Sequence, residues 1–107
     1  MEYIFEAFQN SFKIGEKVIF ITNVKNENKQ DGDLMLTSLR LVFYPAKPKE
    51  IKDVLFIEIK VIDSIKLTEN GLIITSENKK GVYEIDFLKD EFIKKIKEIN
   101  SDISVIY

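Results

Sequence analysis

The chain has 107 residues, of which 45% are apolar and 32% are charged, so it is long enough for one domain with its own core. Its net charge is −2 with both signs spread along the sequence, which argues against nucleic-acid binding. Histidine and cysteine are absent and Arg40 is the only arginine, which excludes disulfides and thiol chemistry and disfavours an enzyme. We therefore expect no catalytic residues, no metal and no cofactor.

The sequence also bears on location. No apolar run approaches the roughly 20 residues that a membrane-spanning helix requires. The N-terminus carries Glu2 and Glu6 in place of the basic residues that begin a secretory signal. We expect a cytoplasmic protein, with peripheral membrane contact as an open alternative.

The first 14 residues place Ile4, Phe5, Phe8 and Phe12 at helical spacing. Residues 1–14 are predicted to be a cover segment that plugs one open end of a sheet, because a small domain needs to bury its large apolar side chains. Contact of these aromatic residues with a partner or a membrane is the alternative.

Seven runs of β-branched and aromatic residues follow the cover segment, and they predict strands. Polar or turn-forming residues separate the runs, among them the long loop 25–32, the prolines at 45 and 48, and Asn70-Gly71. A further hairpin turn is predicted over residues 78–81. The predicted strands are 17–24, 33–38, 39–44, 54–59, 64–68, 72–76 and 82–87.

From Leu88 the apolar period changes from two to that of a helix. Leu88, Phe92, Ile96, Ile99 and Ile103 form one stripe, which predicts a C-terminal amphipathic helix with lysines on its other face. The apolar tail at residues 104–107 either docks on the domain or leads into a longer chain.

Seven antiparallel strands followed by one helix is the order of the pleckstrin homology (PH) fold. Gly15-Glu16, a strand, and Gly32-x-Leu34-x-Leu36-Thr37-x-x-Arg40-Leu41 resemble the GRAM, GLUE and BBSome branch of the PH-like superfamily. Phe56-Ile57-Glu58-Ile59 is similar to the fourth strand of that branch. The resemblance covers residues 15–100, is closest to a GLUE domain of the ESCRT-II complex, and leaves 101–107 as a tail or the start of a linker. It implies a mainly β fold (α+β by count), a PH-like seven-stranded antiparallel β-sandwich or barrel capped by a C-terminal α-helix.

Thr37, Arg40 and Leu41 are the most specific residues of the resemblance. We expect Leu41 in the core, Thr37 bonded to backbone groups at a hairpin, and Arg40 paired with a nearby acid. The alternative is that Arg40 is a fork for a phosphate or carboxylate ligand. The structural interpretation is preferred, because the branch carries this arginine across members with different ligands.

The resemblance implies a non-catalytic recruitment module in a membrane-trafficking type of assembly. It implies a protein partner, with ubiquitin as the named candidate, held near the end of the C-terminal helix. Ile99, Ile103 and Val105 occupy that region in this sequence. The competing interpretation is that Ile99 and Ile103 complete the core, which the helical stripe also predicts.

Binding of anionic lipid head groups, of the phosphoinositide type, is the alternative function. Its candidate residues are loop lysines, Lys47, Lys49, Lys52, Lys79 and Lys80. The first loop contains Lys25 and Lys29 against three acids, so it is a poor anion site, and protein binding is preferred.

Carboxylates offer the remaining route to an enzyme. Glu84 and Asp86 share one strand face and Glu58 could lie near them. Alternating acids on an exposed strand are usually a solvated face, and we predict no catalysis from them.

Overall fold

The structure is a computed structural model that describes residues 2–85 and 88–107. Its helices and strands follow one another along these residues. They are α1 (Glu2–Asn10), β1 (Val18–Asn26), β2 (Asp31–Thr37), β3 (Arg40–Pro45), β4 (Leu55–Glu58), β5 (Ile62–Leu67), β6 (Gly71–Ser76), β7 (Lys79–Glu84), α2 (Lys89–Ile99) and β8 (Ser104–Ile106). Single turns of 3₁₀ helix at Ile51–Asp53 and Ile59–Val61 flank β4. Over the described residues, neither α1 nor α2 is long and apolar enough to cross a membrane.

The strands are hydrogen-bonded in the order β4-β3-β2-β1-β7-β6-β5-β8, and every pair except β5 with β8 is antiparallel. β1 pairs with β2 along its length but meets β7 only at Lys25 and Asn26. This short junction lets the chain fold into two facing layers, β1 to β4 and β5 to β8. The architecture confirms the predicted PH-like β-sandwich capped by a C-terminal helix.

The main core lies between the two layers and under α2. Phe92 and Ile96 of α2 are fully buried, and the Phe92 ring meets Phe20 of β1 at a centroid distance of 6.1 Å. The strands contribute alternate residues such as Leu34, Leu36, Leu41, Ile65, Leu72 and Ile74. The period-two and helical patterns therefore mark the core correctly.

The C-terminal end differs from the prediction in two ways. α2 ends at Ile99, so Ile103 is not a helical residue, although it is buried. Asn100 stops the helix because its side-chain amide donates to Ile59 O at 3.1 Å and its Oδ1 accepts the Asp102 N–H at 3.0 Å. The tail then docks as β8, parallel to β5, so the described part of the chain has eight strands in place of the predicted seven.

The hairpin between β6 and β7 is tighter than predicted. Its two-residue turn is Glu77-Asn78, and both residues have positive φ, as a type I′ turn requires. β7 therefore begins at Lys79, so Lys79 and Lys80 lie in a strand and not in a turn. The predicted strand end at residues 86–87 lies outside the described residues.

The N-terminal segment forms helix α1, which covers a face of the sheet and not one of its ends. Ile4 and Phe8 of α1 pack with Met35, Val42 and Val54 in a second apolar cluster. Met35 and Val42 alternate with core residues along β2 and β3, so these strands are apolar on both faces. The outer face would be exposed to water without α1.

Candidate functional site

Three residues of the sequence motif meet in a buried ionic cluster. Glu16 Oε2 accepts hydrogen bonds from Arg40 Nε at 2.8 Å and from the Thr37 hydroxyl at 2.6 Å, and Arg40 Nη2 reaches Glu16 Oε1 at 3.2 Å. Thr37 Oγ1 also accepts the backbone N–H groups of Leu39 and Arg40, which fixes the turn between β2 and β3. We call Glu16, Thr37 and Arg40 the motif cluster.

The charged groups of the motif cluster bond to one another. The Glu16 side chain is 0% exposed and that of Arg40 is 13% exposed. Burial acts to raise the pKa of Glu16, but hydrogen bonds from Arg40, Thr37 and the Lys13 N–H outweigh it and hold the pKa below its ordinary value. The guanidinium also lies against the rings of Phe12 and Phe56, at 5.2 and 4.6 Å from their centroids. Arg40 therefore already has a carboxylate partner and two aromatic neighbours.

A cleft of about 600 Å³ lies at the C-terminal end of α2. We call it the helix-end cleft. Leu39 and Ile99 supply apolar surface. The charged lining residues include the basic Lys13 and Lys60 and the acidic Asp63 and Asp102. Leu39 is 43% exposed, so the cleft offers apolar surface together with charges of both signs.

The three residues predicted for protein binding differ in place and accessibility, and Ile99 alone of them lines this cleft. Ile99 lines the cleft and is half-buried. Val105 lies on β8 and packs against the core with one side. Ile103 is 1% exposed and cannot contact a partner in this conformation, because the turn at Asn100 directs it inward.

The lysines predicted for lipid binding are all exposed, and they fall into two groups. Lys47, Lys49 and Lys52 lie between β3 and β4, where Lys52 pairs with Glu50 at 3.1 Å. The Asp53 carboxylate in the same segment accepts the N–H groups of Lys49 and Glu50. The structure does not bring these lysines into the cleft that Lys79 and Lys80 line.

That second cleft also has a volume of about 600 Å³ and opens between the two layers of the sandwich. We call it the edge cleft. All four residues of β4 line one wall, and Lys79, Lys80 and Gly81 of β7 line another. The buried side chains of Ile74 and Tyr83 form its floor, and burial raises the pKa of the Tyr83 phenol to about 12. Sequence reasoning missed this cleft; its one signal was that residues 54–59 are apolar on both faces apart from Glu58.

The carboxylates considered for catalysis do not converge. Glu84 pairs with Lys29 at 2.8 Å, whereas Glu58 pairs with Lys60 at 3.4 Å. The two carboxylates also line different cavities. Asp86 lies outside the described residues. Within residues 2–85 and 88–107, no three His, Cys, Asp or Glu side chains cluster in a way that could hold a metal ion.

Comparison with known proteins gives structural likenesses only. No protein-family model matches the chain, and no curated protein matches it either. The C-terminal domain of an unknown protein from Leishmania infantum superposes with a TM-score of 0.68 and 20% identity, over 90% of this chain and 96% of that one. The FERM and C-terminal domain complex of Drosophila Merlin gives a TM-score of 0.60 and 18% identity, over 78% of this chain. The match spans only 28% of the Merlin chain.

These likenesses and the strand order define the class of the protein by its fold, which is PH-like. At this level of identity the likeness carries no activity or ligand from one protein to the other. The closer resemblance to the GRAM, GLUE and BBSome branch stays a prediction.

Proposed function

We propose that this protein is a non-catalytic binding module that recruits a protein partner through the helix-end cleft. The observation that carries the proposal is the composition of that cleft, which combines the apolar side chains of Leu39 and Ile99 with charges of both signs. An apolar centre with a polar rim is the usual anatomy of a protein–protein interface.

Ubiquitin is the named candidate, in a membrane-trafficking type of assembly. The resemblance of residues 15–100 to GLUE domains supports this candidate. Ile106, which is exposed beside half-buried Val105 on β8, adds apolar surface at the same end of the chain.

Charge balance favours a protein partner over an anionic membrane. The lysine loop between β3 and β4 also contains Glu50 and Asp53, and Lys25 near the first loop is paired with Asp31 at 2.7 Å. Each lysine near an anionic leaflet adds about 1 kcal/mol at best, and neighbouring acids cancel part of that. Phosphoinositide binding through Lys47, Lys49 and Lys52 is therefore the alternative outcome of the test.

The proposal is tested by measuring ubiquitin affinity for the wild type and two matched variants. Leu39→Asp places a charge in the helix-end cleft, and we expect affinity to fall about tenfold. Ile51→Asp is the control, because Ile51 is 40% exposed and lies in the lysine loop. We expect Ile51→Asp to bind as the wild type does.

Co-sedimentation with phosphoinositide-containing vesicles at low salt completes the test. We expect little sedimentation of the wild type. The proposal is wrong if ubiquitin does not bind while salt-sensitive sedimentation is strong and disappears when Lys47, Lys49 and Lys52 are replaced by alanine.

A further inference from the structure

β4 forms one edge of the sheet. Within residues 2–85 and 88–107 it pairs with β3 alone, in the register Leu41↔Ile57 and Val42↔Phe56. The edge cleft is lined by consecutive β4 residues, Leu55 to Glu58. Side chains alternate between the faces of a strand, so an unbroken run along a wall indicates that the strand presents its backbone edge.

The register identifies the backbone groups that face the edge cleft. The Ile59 N–H donates to Leu39 O at 3.0 Å, and antiparallel pairs alternate between bonded and non-bonded. As the N-cap of the 3₁₀ turn Ile59–Val61, Glu58 uses its C=O within that turn. Ile57 bonds to Leu41 of β3, whereas both backbone groups of Phe56 and the N–H of Glu58 point away from β3 and stay open. These are the groups with which an added strand would pair.

β7 presents a second edge across the same cleft. It meets β1 only at Tyr83 and Glu84, so among the described residues Lys79 to Val82 are paired on the β6 side alone. The Val82 N–H on the open side donates to Glu27 Oε2 at 3.4 Å. A side chain thus satisfies one outward donor of β7, whereas no described side chain does so for the outward N–H groups of β4.

The walls of the cleft suit an apolar chain with an acidic end. Leu55 is 47% exposed on the β4 wall, above the buried Ile74 and Tyr83. Of the carboxylates at the rim, Glu58 pairs with Lys60 and Glu27 accepts the Val82 N–H. The ammonium groups of Lys79 and Lys80 form no ion pair with any described residue, so both can pair with a carboxylate of the peptide, while Glu27 and Glu77 balance their charge in the lining.

We propose that the edge cleft binds an extended peptide segment of a protein partner, which adds as a strand to the free edge of β4. Backbone bonds to Phe56 and Glu58 provide affinity, alternate apolar side chains pack against Leu55 and the cleft floor, and an acidic residue pairs with Lys79 and Lys80. This inference rests on the proposed function as a protein-binding module but names a second site, which borders the helix-end cleft at Glu58.

The test uses a displayed library of peptides of about six residues, with apolar residues at alternate positions and one acidic residue at either end. The best selected peptide is then measured against Glu58→Ala and Glu58→Pro. Glu58 has φ −67° and ψ 131°, a conformation that proline adopts without strain. Both variants lose the carboxylate, but only Glu58→Pro loses the outward N–H.

We expect the peptide to bind Glu58→Ala as it binds the wild type and Glu58→Pro about tenfold more weakly, because one backbone bond is lost and the ring blocks the edge. In a second form of the test, single amide nitrogens of the peptide are methylated and the protein is left unaltered. Methylation at alternate positions of the peptide should abolish binding. The proposal is wrong if no alternating peptide is enriched, or if Glu58→Pro and the methylated peptides bind undiminished.

Ubiquitin affinity of the wild type separates this inference from the proposed function. Ubiquitin binding by the wild type, with no selected peptide that binds it, overturns the edge-cleft proposal alone. If the wild type binds neither ubiquitin nor any selected peptide, the proposed function is overturned as well.

Discussion

Arg40 shows how far a single residue can be interpreted from sequence. Its preference for an acidic partner follows from the chemistry of a half-buried guanidinium. The partner itself, Glu16, lies 24 residues earlier in the chain and comes close only when the segment before β1 packs beside the turn after β2. The residue pattern within a single strand does not predict that contact.

Arg40→Met is expected to destabilise the fold by about 3 kcal/mol, because it leaves the Glu16 carboxylate buried without a cation. Adding Glu16→Gln to this variant should recover much of the loss. The free energy of unfolding in urea measures both effects. Lys25→Met, which breaks an exposed ion pair with Asp31, is the control and should cause no measurable loss. A double variant as unstable as Arg40→Met would contradict this account of the motif cluster.

The same cluster makes stability depend on pH. The pKa of Glu16 is lower in the folded protein than its ordinary value of 4.5, so its contribution to stability is complete above that value and is lost as the pH falls through the folded pKa. We expect the free energy of unfolding to decrease on acidification below about pH 4.5, and to decrease less steeply in Glu16→Gln. Urea denaturation across this range measures the two slopes. Equal slopes would show that Glu16 is not the group responsible.

At the scale of elements, hydrophobic periodicity located seven strands and the start of α2 but not β8. β8 has three residues, too few to show alternation, and its place beside β5 is set by the turn at Asn100. The periodicity of α1 was visible, yet its position on the outer face depended on recognising that β2 and β3 are apolar on both sides. The type of these elements could be predicted here, whereas the surfaces against which α1 and β8 pack could not.

Phe8→Ala tests whether α1 is an integral layer. Phe8 is buried against the rings of Phe12 and Tyr44, with centroid distances of 5.1 and 5.2 Å. We expect a loss of about 3 kcal/mol in the free energy of unfolding, from lost burial and the cavity that remains. Phe5→Ala is the matched control on the same helix, because Phe5 is 47% exposed and should cost less than half as much. Equal effects would mean that α1 does not pack as described.

At the scale of the whole molecule, strand order and one C-terminal helix were sufficient to predict the PH-like sandwich. The two clefts were not predictable, because each lies where elements distant in sequence separate. The helix-end cleft depends on where α2 stops relative to Leu39, and the edge cleft depends on how far β4 lies from β7. We propose binding at these clefts because exposed apolar side chains and unpaired backbone edges remain there.

The most direct measurement of the central claim is a map of amide chemical-shift changes as ubiquitin is added to the isotope-labelled protein. Recruitment through the helix-end cleft predicts saturable changes at Leu39, Ile99 and Asn100, extending to Val105 on β8. The same map recorded with phosphoinositide-containing vesicles should show little change. Changes confined to Lys47, Lys49 and Lys52 on addition of vesicles, with none at saturating ubiquitin, would contradict the account.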